Sequence, residues 1–201
     1  MKKKLQRIWN VLSHPRLLRM ALSGFGAALC EENHLGALSD KERTALSLWV
    51  RSSGAGVFVE IGTLFGFTAR FVNCNAHIRT VAVDNFSWNP FGLSPSRHEA
   101  FTRRILEGSS VELVRGDASK FLSSFPCVSP CEAFVFLDGS HVYEDVKREL
   151  QLCLDAGVAV VSGHDYGNES FGVTKAVDEI LGKPDAVVSS CWMKKICPAS
   201  Q

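Results

Sequence analysis

The stretch that most constrains the fold is Val57-Phe58-Val59-Glu60-Ile61-Gly62-Thr63-Leu64-Phe65-Gly66-Phe67-Thr68. A short, β-branched apolar run ends in an acid, then passes through Gly-x-x-x-Gly into a helix-compatible segment. Such a run fits a strand buried on both faces, as in a parallel sheet covered by helices. Gly62 permits a backbone conformation or a close approach that a Cβ would forbid, and Thr63 is placed to cap the next helix. A strand–turn–helix of this kind leaves backbone N–H groups at a helix N-terminus, ready for the polar part of a ligand. The spacing matches neither the Gly-x-Gly-x-x-Gly of a dinucleotide fingerprint nor the Gly-Lys-Ser/Thr of a phosphate loop. Taken alone, the motif is equally a glycine-containing turn with no ligand.

Thr80-Val81-Ala82-Val83-Asp84 repeats the pattern of an apolar run ending in an acid. An acid at the end of the second strand of a βαβ unit is well placed to hold a ribose diol. Further on come Gly116-Asp117-Ala118, Phe136-Leu137-Asp138-Gly139-Ser140-His141-x-Tyr143, Gly163-His164-Asp165-Tyr166 and Gly172-Val173-x-x-Ala176-Val177. With these blocks, residues 57 to 197 resemble the class I S-adenosylmethionine-dependent methyltransferases. More narrowly, they resemble the small-methyltransferase family that includes macrocin-type sugar O-methyltransferases. The resemblance implies S-adenosylmethionine as cofactor, bound by Glu60, Gly62, Thr63, Gly66, Asp84, Asn85, Asp117, Ala118 and Asp138. In it, Glu60 and Gly62 lie along the methionine part, Asp84 accepts the ribose diol, and Asp117 and Ala118 border the adenine.

With 201 residues the chain is long enough for one domain with a substantial core. It is 46% hydrophobic and 21% charged, a globular composition. A net charge of +1 makes no global case for nucleic acid as partner. Seven cysteines without a CxxC pair suit reduced thiols, and hence a cytoplasmic location, better than a zinc site or a disulfide framework. No apolar stretch is long enough to span a bilayer.

Residues 1–38 read as a basic helical extension. Lys2, Lys3, Lys4, Arg7, Arg16 and Arg19 occur with no acid before residue 31, and Leu5, Ile8, Trp9 and Leu12 follow helical spacing. Arg16 and Arg19 interrupt any signal-peptide core. The extension either touches an anionic membrane surface or packs on its own domain or on a second copy in a homo-oligomer. Residues 39–201 read as the methyltransferase domain. Ser39-Asp40-Lys41-Glu42 is a capping-box signature, and Gly54 and Gly56 end the helix it starts. Helices are expected at about 67–74, 96–107, from Tyr143 to before Gly157, and 172–181. In the third of these Glu144 is spaced to pair with Arg148. Strands are expected at 80–84, 111–114, 133–137 and 158–161, with a closing hairpin at 186–189 and 192–196. The alternation implies a single-domain, doubly wound α/β fold with a mostly parallel sheet. Its antiparallel seventh strand is implied by the resemblance. The loop from Asn85 to Arg97, with Phe86, Trp88 and Phe91, either lines a ligand or packs on the following helix.

Glu60, Asp84, Asp117, Asp138 and Asp165 each fall at or near a strand's carboxyl end, the ligand-binding edge of an open α/β sheet. Converging carboxylates shift one another's pKa values and persist where ligands use them; the plainer reading is that each caps a helix. Asp138 and Asp165 close neighbouring strands, where two carboxylates can hold Mg²⁺ or another divalent cation. Such an ion would lower the pKa of an acceptor hydroxyl. In the metal-dependent sugar methyltransferases an acid stands where this chain has His164. Imidazole also ligates divalent ions, preferring softer ones than Mg²⁺, so Asp138, Asp165 and His164 form the candidate metal set. His141 is the candidate general base, since an imidazole accepts a proton near neutral pH. His164 and Asp165 complete the catalytic candidates. The expected activity is methylation of a hydroxyl on a sugar or other small-molecule acceptor. Its alternatives are a nicotinamide-dependent oxidoreductase and a non-catalytic donor-binding protein.

Overall fold

The computed structural model describes residues 38–88, 93–124 and 132–196. The basic extension therefore lies, except for Leu38, outside the described residues, as does the middle of the aromatic loop. Thirteen elements follow in order: α1 (Asp40–Ser53), β1 (Val57–Ile61), α2 (Phe67–Ala76), β2 (Arg79–Asp84), α3 (Pro95–Leu106), β3 (Val111–Arg115), α4 (Ala118–Ser124), β4 (Ala133–Leu137), α5 (Tyr143–Asp155), β5 (Val160–Gly163), α6 (Val173–Ile180), β6 (Ala186–Val188) and β7 (Cys191–Lys195). They build one seven-stranded sheet in the order β3-β2-β1-β4-β5-β7-β6. Strands β1 to β5 pair in parallel, and β7 inserts antiparallel between β5 and β6. The strand order reverses between β1 and β4, which places a crevice beyond their carboxyl ends.

Alternation along the strands divides the core in two. Val59, Ile61, Val135, Leu137 and Val161 join Leu122, Val146, Leu150, Val173 and Val177, so α4, α5 and α6 cover that face. Phe58, Phe134, Phe136 and Val160 face the other way, onto Leu46 and Val50 of α1 and Val72 of α2. The central strands bury both faces, which is why their sequences read as unbroken apolar runs. Among the described residues no helix is long and apolar enough to cross a membrane.

Most expected elements are present, with informative differences. The capping box forms as read, with Ser39 and Glu42 exchanging hydrogen bonds and Gly54 closing α1 at φ 73°. The helix α4 was not anticipated; Asp117 caps it by accepting from Lys120 N at 3.0 Å. Helix α3 starts at Pro95 under a Ser94 cap, and β5 starts at Val160, two residues late. Arg148 does not take Glu144: it pairs with Asp145 at 2.7 Å and donates to Ser119 at 2.9 Å, which ties α5 to α4. Phe86 is fully buried against His98 of α3, with ring centres 5.1 Å apart, so this aromatic of the loop packs on the helix; Trp88 is exposed.

Candidate active site

The turn after β1 is shaped by close packing. A Cβ on Gly62, whose φ is +85°, would lie 2.4 Å from both the Asp138 carbonyl oxygen and the Gly139 Cα. Glycine here lets the ends of β1 and β4 touch at the crevice. Four backbone N–H groups of the turn are taken by the protein itself. Gly62 and Thr63 N–H donate to Val83 O, Gly66 N–H to Thr63 O, and Leu64 N–H to Asp84 Oδ2 at 2.8 Å. Thr63 is not the helix cap: α2 begins after Gly66, which supplies no side chain, and the Thr63 hydroxyl donates to Glu60.

Asp84 holds two left-handed turns at once. Its second carboxylate oxygen accepts from Phe86 N–H at 2.6 Å, and both Leu64 and Phe86 have positive φ, at 51° and 57°. Non-glycine residues rarely adopt this conformation unless the surroundings enforce it. Burial raises the Asp84 pKa against the pull of these two donors. Each carboxylate oxygen keeps a further acceptor site. Beside the turn, His98 is buried, its ring tilted against Phe65 with centres 4.7 Å apart.

Glu60 is almost fully enclosed. Burial pushes its carboxyl up to about 8, with the Asp84 charge adding and the Thr63 and Ala69 donors opposing. Across the sheet face, burial and the charge of Asp145 raise Glu149 to about 7, and its Oε2 has no partner among the described residues. Both native values lie above the ordinary 4.5. Between that value and the raised one the native state binds more protons than the unfolded chain. The stability these two groups contribute is therefore full below the ordinary carboxylate range and falls as pH rises through the raised values. Denaturant unfolding from pH 5 to 9 is expected to show this fall, and Glu60→Gln, which cannot ionise, to flatten it. A slope the substitution leaves unchanged would assign the effect to other groups.

At the ends of β4 and β5 the acceptor-side candidates converge. Asp138, His141 and Asp165 each offer one ligand atom, all within 4.8 Å of one another. His141 Nδ1 lies 3.2 Å from Asp165 Oδ2. Asp165 has φ 62°, a left-handed conformation that Asp tolerates better than most residues and that terminates β5. Burial raises Asp138 well above its usual range, reinforced by Glu60, Asp165 and Glu42. The His141 ring stacks on Phe171 at 4.6 Å. Gly172 secures this corner: its N–H donates to His141 O at 2.9 Å, and a Cβ on it would lie 2.4 Å from Tyr143 N.

His164 occupies a different place from His141. Its Nε2 turns inward, 2.9 Å from Ser190 Oγ and 3.3 Å from Glu42 Oε1. Its Nδ1 stands 3.5 Å from Asp165 Oδ2 and 3.7 Å from Asp138 Oδ1. His164 thus lies behind the two acids, while His141 joins them. The structure brings together Glu60, Asp84 and the Gly62–Gly66 turn, and separately Asp138, His141, His164 and Asp165. Asn85 and Asp117 are exposed, Asn85 accepting from Ser87 N–H, and Ala118 opens α4. The sequence reading missed Glu42, Ser190, His98 and Phe171. Only Phe171 carries a local signal, as an aromatic beside the Gly172 turn.

A family model described as a methyltransferase domain matches residues 59–166. The chain belongs to this methyltransferase family. That sets aside the nicotinamide-dependent alternative. No curated protein matches the sequence. Solved structures show the same fold at low identity. The methyltransferase is 18% identical to TomG, an O-methyltransferase of tomaymycin synthesis from Streptomyces achromogenes solved with SAM, over 78% of this chain and 79% of that one, with a TM-score of 0.57. An O-methyltransferase from Bacillus cereus in complex with SAH is 16% identical over 89% and 87%, TM-score 0.58. The SAH-bound Podospora anserina methyltransferase PaMTH1 is 13% identical over 81% of each chain, TM-score 0.58. The doubly wound seven-stranded sheet of the methyltransferase, with its antiparallel β7, is thereby established as the class I methyltransferase fold.

Proposed function

We propose that this chain moves a methyl group from S-adenosylmethionine to a hydroxyl of a small-molecule acceptor. The observation that carries the reading is the Asp138–His141–Asp165 trio, set at the carboxyl ends of β4 and β5 beside the glycine turn of β1. S-adenosylmethionine, when bound, supplies an electrophilic methyl group on a sulfonium. The Gly62–Gly66 turn and Asp84 suit its polar portion, with Asp84 offering acceptor sites to ribose hydroxyls. The neutral form of Glu60 favoured by burial lets it sit beside the donor without adding a second buried charge. Asp165 Oδ2 stands 3.2 Å from His141 Nδ1; a carboxylate there favours the tautomer protonated at Nδ1 and leaves Nε2 as the proton acceptor, the arrangement of a base oriented by a carboxylate. His141 Nε2 then takes the proton of the acceptor hydroxyl. Solved relatives named as O-methyltransferases support oxygen as the methylated atom.

A second use of the same trio is favoured by its compactness. Two carboxylates and one imidazole within 4.8 Å suit a divalent ion, and the imidazole favours Mn²⁺ or a later metal over Mg²⁺. In this arrangement His141 joins Asp138 and Asp165 as a ligand, and His164 stands outside the set. Such an ion supplies Lewis acidity toward the acceptor hydroxyl. Transfer in excess EDTA distinguishes the two uses, because only the second needs the metal.

Titration calorimetry with S-adenosylhomocysteine tests the donor reading. Asp84→Ala is expected to weaken binding about 10- to 150-fold, since a hydrogen bond to a charged group contributes roughly 1.5–3 kcal/mol. Equal affinity in the variant would remove Asp84 from the donor site. No binding by the wild type would overturn the reading. Binding without transfer to any acceptor would favour the non-catalytic alternative.

A further inference from the structure

Glu42 lies on the first described helix, far along the chain from the acceptor side, yet it is buried and both of its carboxylate oxygens are used. Oε2 accepts from Ser39 N at 3.0 Å and Ser39 Oγ at 2.7 Å, closing the capping box. Oε1 leaves the helix altogether: it accepts from Ser190 N at 3.1 Å and Ser190 Oγ at 3.0 Å, and lies 3.3 Å from His164 Nε2. Burial alone would raise this carboxyl, but the Ser39 and Ser190 donors outweigh it and hold it down at about 2. It is an anion wherever the protein is folded at ordinary pH. A capping box needs no such reach, because Ser39 and Glu42 complete it between themselves.

His164 fills the space between this anion and the two acids of the trio. One ring nitrogen faces Glu42 and Ser190, and the other faces Asp165 and Asp138. The ring is held from behind by Glu42 and Ser190, so its position is set by α1 and the β6–β7 turn rather than by β5 alone. Tyr166 N–H donates to Ser190 O at 3.0 Å, which locks the same turn to the end of β5.

We propose that Glu42 and His164 act as a pair of positioning residues, with Glu42 fixing the His164 ring and the ring fixing the Asp138 and Asp165 carboxylates for the group they bind. This rests on the reading of Asp138, His141 and Asp165 as the acceptor centre. Remove the ring, and two carboxylates lose the group that separates them from Glu42. Remove the Glu42 charge, and the ring is free to turn away. Outer partners of this kind, one step behind the ligating atoms, tune metal affinity by about 10–100-fold.

Glu42→Gln is the informative substitution, because Gln also serves in a capping box and the helix start is preserved. His164→Asn removes the ring. Each protein is compared with the wild type in three ways: Mn²⁺ binding followed by electron paramagnetic resonance, S-adenosylhomocysteine binding by calorimetry, and thermal unfolding. The expected result is Mn²⁺ affinity lower by about 10–100-fold in each single variant, no further loss in the double variant, and unchanged S-adenosylhomocysteine affinity. A purely structural fastening of the hairpin to α1 would lower the melting temperature and leave Mn²⁺ affinity of the folded protein within twofold, which overturns the proposal. Additive losses in the double variant would overturn the pairing of the two residues. A wild type that binds no Mn²⁺ would reject the metal use of the trio. The pair is then judged on the ¹⁵N resonances of the His141 ring, which report its contact with Asp165: a shift in both single variants supports it, and unchanged resonances overturn it.

Discussion

Methyl transfer by the His141→Ala protein is expected to fall about 10²–10⁴-fold, the range of general-base assistance, with S-adenosylhomocysteine bound as tightly as by the wild type. His141 contacts Asp165 at 3.2 Å and stacks on Phe171 at 4.6 Å, past the carboxyl ends of β4 and β5. The Gly62–Gly66 turn and Asp84, proposed above for the donor, follow β1 and end β2. Removing the ring deletes a proton acceptor and leaves the donor side untouched. Single-turnover transfer from labelled S-adenosylmethionine to an acceptor that the wild type methylates, paired with calorimetry, separates the two effects. Near-normal transfer would place the base elsewhere, and a matching loss of donor affinity would show that the substitution had disturbed the crevice as a whole.

Gly62→Ala is expected to lower stability by on the order of 3 kcal/mol or more, as for other strained or overpacked backbone sites. A Cβ there meets the backbone just past β4 at 2.4 Å, and the residue must hold φ at +85°. Backbone cannot yield as a side-chain tip can, so the ends of β1 and β4 must separate. For a domain of this size that corresponds to a melting temperature lower by roughly 6–12 °C. Any folded fraction should also bind S-adenosylhomocysteine poorly, because the crevice floor has moved. A variant melting within a degree or two of the wild type would mean the turn adjusts in a way the packing does not suggest.

The parts of the fold legible in the sequence are those whose cause is local or periodic. Val57–Ile61 and Arg79–Asp84 announce themselves because a strand covered on both faces must be apolar throughout, and the acid marks where it leaves the sheet. The capping box at Ser39 and Glu42 is legible for the same reason. Ala118–Ser124 escaped because three serines and a lone Phe121–Leu122 pair give no helical stripe; its start is fixed by Asp117, read as a ligand-binding acid. Thr63 was misread as a cap because the chain makes an extra turn, with Leu64 at positive φ, before α2 begins at Phe67. His141 and His164 look interchangeable beside their acids in the sequence. What separates them is backbone direction at Asp165 and the presence of Glu42 behind one ring. Glu42 was hidden by its own local explanation, since a residue that completes a capping box shows no sign of a second partner.

The contact between Glu42 and Ser190 spans 148 positions of the chain. It joins the first described helix to the turn between the last two strands, and the intervening sheet must be in place before it can close. Long-range closures of this kind are slow, because chain entropy is lost before the contact rewards it. A nascent chain, or a fragment ending ahead of β6, would carry Asp138, His141, His164 and Asp165 and still lack the Ser190 side of the wall that holds them. Competence at this centre therefore arrives with the docking of α1 on the β6–β7 turn, and an assay of the centre doubles as a probe of completed folding.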